Sequence, residues 1–195
     1  ILQEIWDTNF DELNLEGIDL QDKKTALIYG RAFKKLNFLE DQIKIYPLDI
    51  YDIIVDPLMD PLDIETARFV IQQNILRSLR EILADNRYSE ESKAKLKTYL
   101  GNQDAILQSA ESKERLKEKQ ERLEAMGINS SDFDTFSAGD VVVNLTEHFT
   151  QTWDKKKKKF VKWVYVYAFD NVLLLEEPLE DILGIEFYPF ITWGE

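Results

Sequence analysis

The chain has 195 residues, enough for one domain of ordinary size with a real core, and two full domains would be crowded. Its 24 Lys and Arg against 37 Asp and Glu leave a formal charge of −13, which repels phosphate backbones at long range and argues against tight non-specific nucleic-acid binding. With no cysteine there are no disulfides, no thiolate metal sites and no cysteine nucleophile, a composition that fits a reducing compartment and gives secretion no support.

Leu2, Ile5, Trp6, Phe10 and Leu13 recur at spacings of three and four, which predicts a helix with one apolar face ending near Gly17. A second helical pattern runs from about Asp19, with Leu20, Leu27 and Ile28 apolar, and closes at Tyr29-Gly30, where glycine can take a left-handed cap. From Arg31 the period changes. Ala32-Phe33 and residues 36–39, then Ile43, Ile45 and Pro47 beyond the polar Glu40-Asp41-Gln42, predict a hairpin. Residues 51–55 form a short apolar run stopped by Asp56-Pro57, and Asp60-Pro61 repeats the stop. A residue before proline is pushed out of the helical region and Asp favours local turns, so a rigid, irregular loop is expected. Residues 67–75, carrying Phe69, Val70 and Ile71, predict a return strand. Residues 76–83 follow at helical spacing, and Ser89-Glu90-Glu91 caps a further helix reaching Leu100-Gly101.

Charge dominates 104–126. Glu111 and Arg115, Lys117 and Glu121, and Glu118 and Arg122 stand at i,i+4, while the apolar positions Leu107, Leu116, Leu123 and Met126 are sparse, which predicts a projecting, mostly solvated helix. The Ser- and Asp-rich stretch 127–139 serves as a linker. Beyond it, 140–150, 159–169 and 172–175 read as three strands of an antiparallel meander, separated by Trp153-Asp154 with its lysines and by Asp170-Asn171. The predicted fold class is α+β, with antiparallel sheets and several helices. One domain over 1–195 is expected: helices plus a first sheet in 1–101, the projecting charged helix in 102–127 and the β-meander in 139–195. In the middle strand Val161, Trp163, Tyr165, Tyr167 and Phe169 share one face, and Phe160, Val164, Val166 and Ala168 share the other, interrupted by Lys162. Both faces want cover. The strand is either central in a packed sheet or presents one face, with Trp163, Tyr165 and Tyr167, to another subunit.

Residues 49–65 contain Asp49, Asp52, Asp56, Asp60, Asp63 and Glu65, which could hold a divalent cation or perform acid–base work in a metal-dependent nuclease or other hydrolase. The spacing favours turn chemistry instead: two of the Asp residues precede prolines, and the segment has no glycine for the sharp turn of a calcium loop. His148, the sole histidine, falls with Asn144, Thr146 and Thr150, opposite Val141, Val143, Leu145 and Phe149. That is the polar face of its strand, and with no cysteine and no evident serine partner it reads as a surface histidine. Lys155, Lys156, Lys157, Lys158 and Lys159 form the one basic block, a solvated hairpin tip that discourages edge pairing or a contact for DNA, RNA or an acidic partner. Asn129-Ser130-Ser131 and Asn144-Leu145-Thr146 match the glycosylation pattern, a motif short enough to arise by chance. No Gly-rich phosphate loop is present. No catalytic, cofactor-binding or metal-ligating residue is assigned, and no cofactor is expected. No run of about 18 apolar residues is found, so no membrane partner is expected. The start at Ile1 and the stop at Trp193-Gly194-Glu195 after an apolar run lead us to expect a piece excised from a longer protein.

Taken in order, a helical segment ending in Ile28-Tyr29-Gly30-Arg31-Ala32, a hairpin, Tyr46-Pro47-Leu48-Asp49-Ile50-Tyr51, then Val55-Asp56-Pro57 and Ala67-Arg68-Phe69-Val70-Ile71 resembles bacteriophage portal (head-to-tail connector) proteins. Residues 141–149, the meander, Asn171-Val172-Leu173-Leu174 and Tyr188-Pro189-Phe190 resemble the second sheet of that family. The match covers most of the chain except 104–126. The resemblance implies a non-enzymatic structural subunit of a homo-oligomeric ring, usually of about twelve copies, at one vertex of a capsid. Such a ring forms the channel for DNA packaging and ejection and joins head to tail. The implied partners are further copies of the same chain, the terminase, capsid or scaffold, head-to-tail adaptor proteins, and DNA that passes without tight binding. The implied location is the virion, and the bacterial host cytoplasm during assembly. This chain corresponds to the wing, with stem, clip and crown expected mostly beyond Glu195.

Overall fold

A computed structural model describes residues 15–39, 42–61, 63–101, 103–127 and 140–194. The apolar helical pattern of 2–13, the Glu40-Asp41 turn and the linker 128–139 lie outside the described residues. Helix α1 spans Leu15–Tyr29, so Gly17 sits inside a helix rather than closing one. Its packing also reverses the expected face: Ile18, Asp22 and Thr25 are buried, whereas Leu20, Leu27 and Ile28 are exposed. The cause is Lys34 on the neighbouring strand, whose ammonium lies 2.8 Å from Asp19 and 2.7 Å from Asp22 and seats the helix by its acidic side. Gly30 ends the helix at φ +79, where a side chain would be strained.

Strands β1 (Arg31–Leu39) and β2 (Gln42–Leu48) form the expected hairpin, with Phe33 opposite Leu48. The other edge of β1 receives β8 (Phe190–Gly194), with Lys35 opposite Phe190, giving a three-stranded sheet in the order β2-β1-β8. The larger sheet runs β3-β4-β5-β6-β7, from β3 (Ile53–Val55), β4 (Phe69–Ser78), β5 (Val142–Asp154), β6 (Lys159–Ala168) and β7 (Val172–Pro178). The architecture is α+β with two antiparallel sheets. The sheets do not follow the expected division of the chain. Strand β4 belongs to the meander's sheet because Val70 pairs with Phe149, which pairs with Val164, in one buried row. The final strand leaves the meander, because Phe190 meets Phe149 edge-on at 5.0 Å across the gap between the sheets.

That gap is the core, where Phe33, Val70, Phe149, Val164, Tyr188 and Phe190 interlock. Charge reaches it at Lys35, which donates to Gln72 at 2.8 Å, pairs with Glu147 and lies over the Phe149 ring. Helix α2 (Leu79–Ala84) begins three residues later than the spacing of 76–83 predicts, because β4 stays paired to β5 as far as Ser78 opposite Val142. Ser78 then starts the helix through a reciprocal capping box with Glu81. Helix α3 (Glu90–Leu100), capped by Ser89 as expected, contributes Leu96 to the core, as α2 contributes Ile82.

Helix α4 (Gln103–Ala125) is not a solvated projection. It lies against the start of β5, where Val142 N donates to Ser109 Oγ at 3.1 Å, and Ser109, Ser112 and Leu123 are buried. Its far end is held by charge. Lys119 pairs with Asp52 and Arg122 with Asp49, while Lys24 of α1 donates to Gly127 O at 2.8 Å. A short helix, α5 (Leu179–Leu183), follows β7 and ends at Gly184 in the left-handed region.

Candidate functional site

The carboxylates of 49–65 are spread onto separate donors. Asp49 caps the turn Ile50–Asp52, accepting from Tyr51 N at 3.1 Å, and pairs with Arg122, whose guanidinium also stacks 4.6 Å above the Tyr51 ring. Asp52 accepts from Asn74 Nδ2 at 2.9 Å and pairs with Lys119. The Asp56 carboxylate is buried and accepts from Arg68 Nε at 2.6 Å, Arg68 Nη2 at 3.0 Å, Arg68 N at 3.1 Å and Leu58 N at 3.0 Å. The Arg68 guanidinium, followed by the Leu58 amide, holds that carboxyl well below the usual carboxylate range. Asp63 caps the turn Ile64–Thr66 and accepts from Glu65 N at 3.0 Å. Asp60 forms an isolated bridge with Asp63, and its amide donates to Thr66 Oγ1 at 2.7 Å. Glu65 turns the other way, to Lys162 and to Tyr188 N at 2.8 Å. Among the described residues no three or more His, Cys, Asp or Glu side chains are grouped so as to hold a metal ion. Chemically the segment is a set of braced turns, in which the carboxylates of Asp49, Asp52, Asp56, Asp63 and Glu65 each serve their own part of the fold.

The second candidate, the aromatic strand, divides cleanly. Val164, Val166 and Ala168 face the core, together with Lys162, whose ammonium lies 4.3 Å over the Tyr188 ring. Trp163, Tyr165 and Tyr167 lie on the opposite face and are half-buried. Phe169 leaves the alternation because it stands in the β6–β7 turn at φ +52, packed 5.9 Å from Tyr99. On the outer face Trp163 stacks on Tyr165 at 6.4 Å, and His148 sits between Tyr165 and Phe69, 6.3 Å from each ring. His148 therefore lies on the face opposite the core, as its alternation predicts, but between rings rather than in open water. Burial there pushes its imidazole below the usual 6.5. Helix α4 covers this face near Val142, and the aromatic end lies beyond that contact.

The third candidate is the lysine block. β4 pairs with β5 only as far as Thr150, and β7 pairs with β6 only from Trp163, so 151–162 continue as a two-stranded arm. Asp154 braces its turn, accepting from Lys156 N at 2.7 Å and Lys157 N at 3.1 Å. The five lysines are not equivalent. Lys157 pairs with Glu180 at 3.0 Å and Lys159 with Glu186, whereas Lys155, Lys156 and Lys158 project without an ion pair to any described residue. Beside them Trp153 is 51% exposed and Phe160 61% exposed, in edge-to-face contact at 5.2 Å. These two aromatics are the functional candidates that periodicity misses. Phe160 shares the alternation of Val164, yet the arm outruns the small sheet that covers Val164. The available signal was their position on either side of the lysine run, which makes them cross-strand partners.

Two surface cavities accompany these features. One of about 320 Å³ lies beside α4 between Leu79, Leu100, Ser109 and Val141. The other, of about 520 Å³, follows the outer edge of β7 past Leu173 and Glu177 to the start of α3 at Ser89 and Glu91. Among the described residues no helix is long and apolar enough to cross a membrane. A scan against protein-family models and a search of curated proteins find no match for this chain.

Proposed function

We propose that this chain is the wing of a phage portal subunit, a structural and non-catalytic part of a ring through which DNA is packaged and ejected at a capsid vertex. The observation that carries the reading is the bond between two of the segments that resemble the family. Asp56, from Val55-Asp56-Pro57, is locked by the side chain and backbone of Arg68, from Ala67-Arg68-Phe69-Val70-Ile71. The two segments are one physical unit, in which a buried carboxylate fixes the path of a rigid turn into β4. An assembly role is further supported by the half-covered aromatic face of β6 and by the basic, aromatic arm, two surfaces suited to neighbours. The dispersal of the 49–65 carboxylates onto Arg122, Lys119, Arg68 and Lys162 weighs against a metal-dependent hydrolase. Terminase, scaffold and adaptor contacts belong to the same proposal, as does passage of DNA without tight binding, for which the charge of −13 is suitable.

Mass measurement tests this. Expressed with whatever sequence flanks it naturally, the protein is expected to sediment as a closed oligomer of about twelve copies. A strictly monomeric flanked protein would overturn the proposal. Titration calorimetry with Mg²⁺ or Mn²⁺ is expected to give no binding heat, and a saturable isotherm lost in Asp52→Asn would favour the hydrolase.

A further inference from the structure

The charges of the β5–β6 arm match a surface elsewhere on the same molecule. At its tip Lys155, Lys156 and Lys158 carry three charges that make no ion pair with a described residue, beside the exposed Trp153–Phe160 pair. Such a tip wants an acidic, partly apolar partner. The chain itself is acidic at −13, and the cavity along β7 combines both features: Leu173 is exposed on the strand and Glu176 and Glu177 stand exposed after it, while the two cations of the opposite wall, Arg87 and Lys95, are paired with Asp85 and Glu91. Strand β7 is also the last strand of the large sheet, and the start of α3 forms the opposite wall of the cavity.

The arm does not fill this groove within its own chain, because Lys157 is anchored to Glu180 and Lys159 to Glu186. These two exposed pairs draw one side of the arm toward α5 and the loop after it, and the other three lysines stand exposed. A tip on one part of the molecule and a complementary groove on another make a head-to-tail contact, the kind that generates rings when its rotation closes. We infer that the arm of one chain docks in the β7 groove of a second copy, with Lys155, Lys156 and Lys158 facing Glu176 and Glu177 and the Trp153–Phe160 pair covering Leu173. This inference rests on the ring reading and specifies one of its contacts. Nucleic acid is the less fitting occupant, since a net charge of −13 opposes the approach of a phosphate backbone.

A charge swap tests the contact. One variant carries Lys155→Glu, Lys156→Glu and Lys158→Glu, and the other carries Glu176→Lys and Glu177→Lys. All positions are exposed, so both variants are expected to fold, which circular dichroism checks. In sedimentation velocity up to about 100 µM, wild type is expected to self-associate, and each variant alone to associate at least about a hundredfold more weakly, because like charges then face each other. Mixing the two variants should restore association, since the reversed tip fits the reversed groove and the native tip fits the native groove. Wild type and both variants associating equally would overturn this contact and leave the ring reading standing. A wild-type chain that stays monomeric throughout would overturn the contact, while rings of the flanked protein would still support the ring reading. Labelled duplex DNA bound by wild type and released by the lysine variant would reassign the tip to phosphate and overturn the inference.

Discussion

Arg122→Ala and Lys119→Ala measure how firmly α4 is docked. The carboxylates they meet are nearly inaccessible, with side-chain exposures of 3% for Asp49 and 7% for Asp52, while Arg122 is 35% and Lys119 21% exposed. Removing one partner of a fully buried pair costs about 3–5 kcal/mol, because a charge is left without compensation. Here the cations are partly wet, and each carboxylate keeps one hydrogen bond, from Tyr51 N or from Asn74 Nδ2. Water entering where the arginine or lysine was lowers the expected cost to about 2 kcal/mol for each substitution. The two pairs are neighbours on one helix and one turn, so the double variant should lose about 3 kcal/mol rather than the sum. Adding Asp49→Asn to Arg122→Ala should recover about 1 kcal/mol, since the stranded charge is then gone. Urea unfolding followed by tryptophan fluorescence reads these differences. A cost below about 0.5 kcal/mol for either single variant, the value of an ordinary exposed ion pair, would refute the argument and return α4 to the solvent.

Phe149→Ala should destabilise the fold by about 4 kcal/mol in the same urea assay, because it opens the row between Val70 and Val164 and removes the contact with Phe190. Gly194→Ala should cost about 1–2 kcal/mol, since a Cβ there would stand 2.8 Å from Gly30 O in the backbone that joins α1 to β1. His148 should make stability depend on pH. Its imidazole lies below 6.5 when folded, so above that value both states are neutral and it contributes nothing. As the pH falls from 6.5 toward the folded-state value only the unfolded chain takes up the proton, stability drops, and the loss levels off below it. Urea midpoints of wild type and His148→Gln at about pH 7 and pH 5 should show the wild type losing more. Equal losses would remove His148 from the explanation.

The α+β class, the β1–β2 hairpin, the capped helix after Ser89 and the three strands of the meander were legible because each rests on local pattern: alternation, turn residues and a cap. What was not legible is non-local. Alternation in β8 shows two faces but does not name β1 as its neighbour, and only the Phe190–Phe149 contact across the core explains the return. Leu20, Leu27 and Ile28 mark a stripe on α1, yet Lys34 on the adjacent strand turns the helix so that Asp22 packs inward. The charged helix looked solvated because its i,i+4 pairs were matched within the helix. Lys117 and Glu121 do pair, at 4.0 Å, but Arg122 pairs with Asp49 instead of Glu118. In 49–65 the two Asp-Pro steps were enough to mark a run of turns. Which cation braces each carboxylate depends on contacts across as many as 97 residues, as for Lys162 and Glu65, and no spacing rule reaches that far.

Negative-stain electron microscopy of the protein with its natural flanking sequence decides whether this chain forms part of a ring. Annular particles with a central channel and about twelve repeats in top view are expected. Uniform small particles of single-subunit size at micromolar concentration would contradict the ring reading.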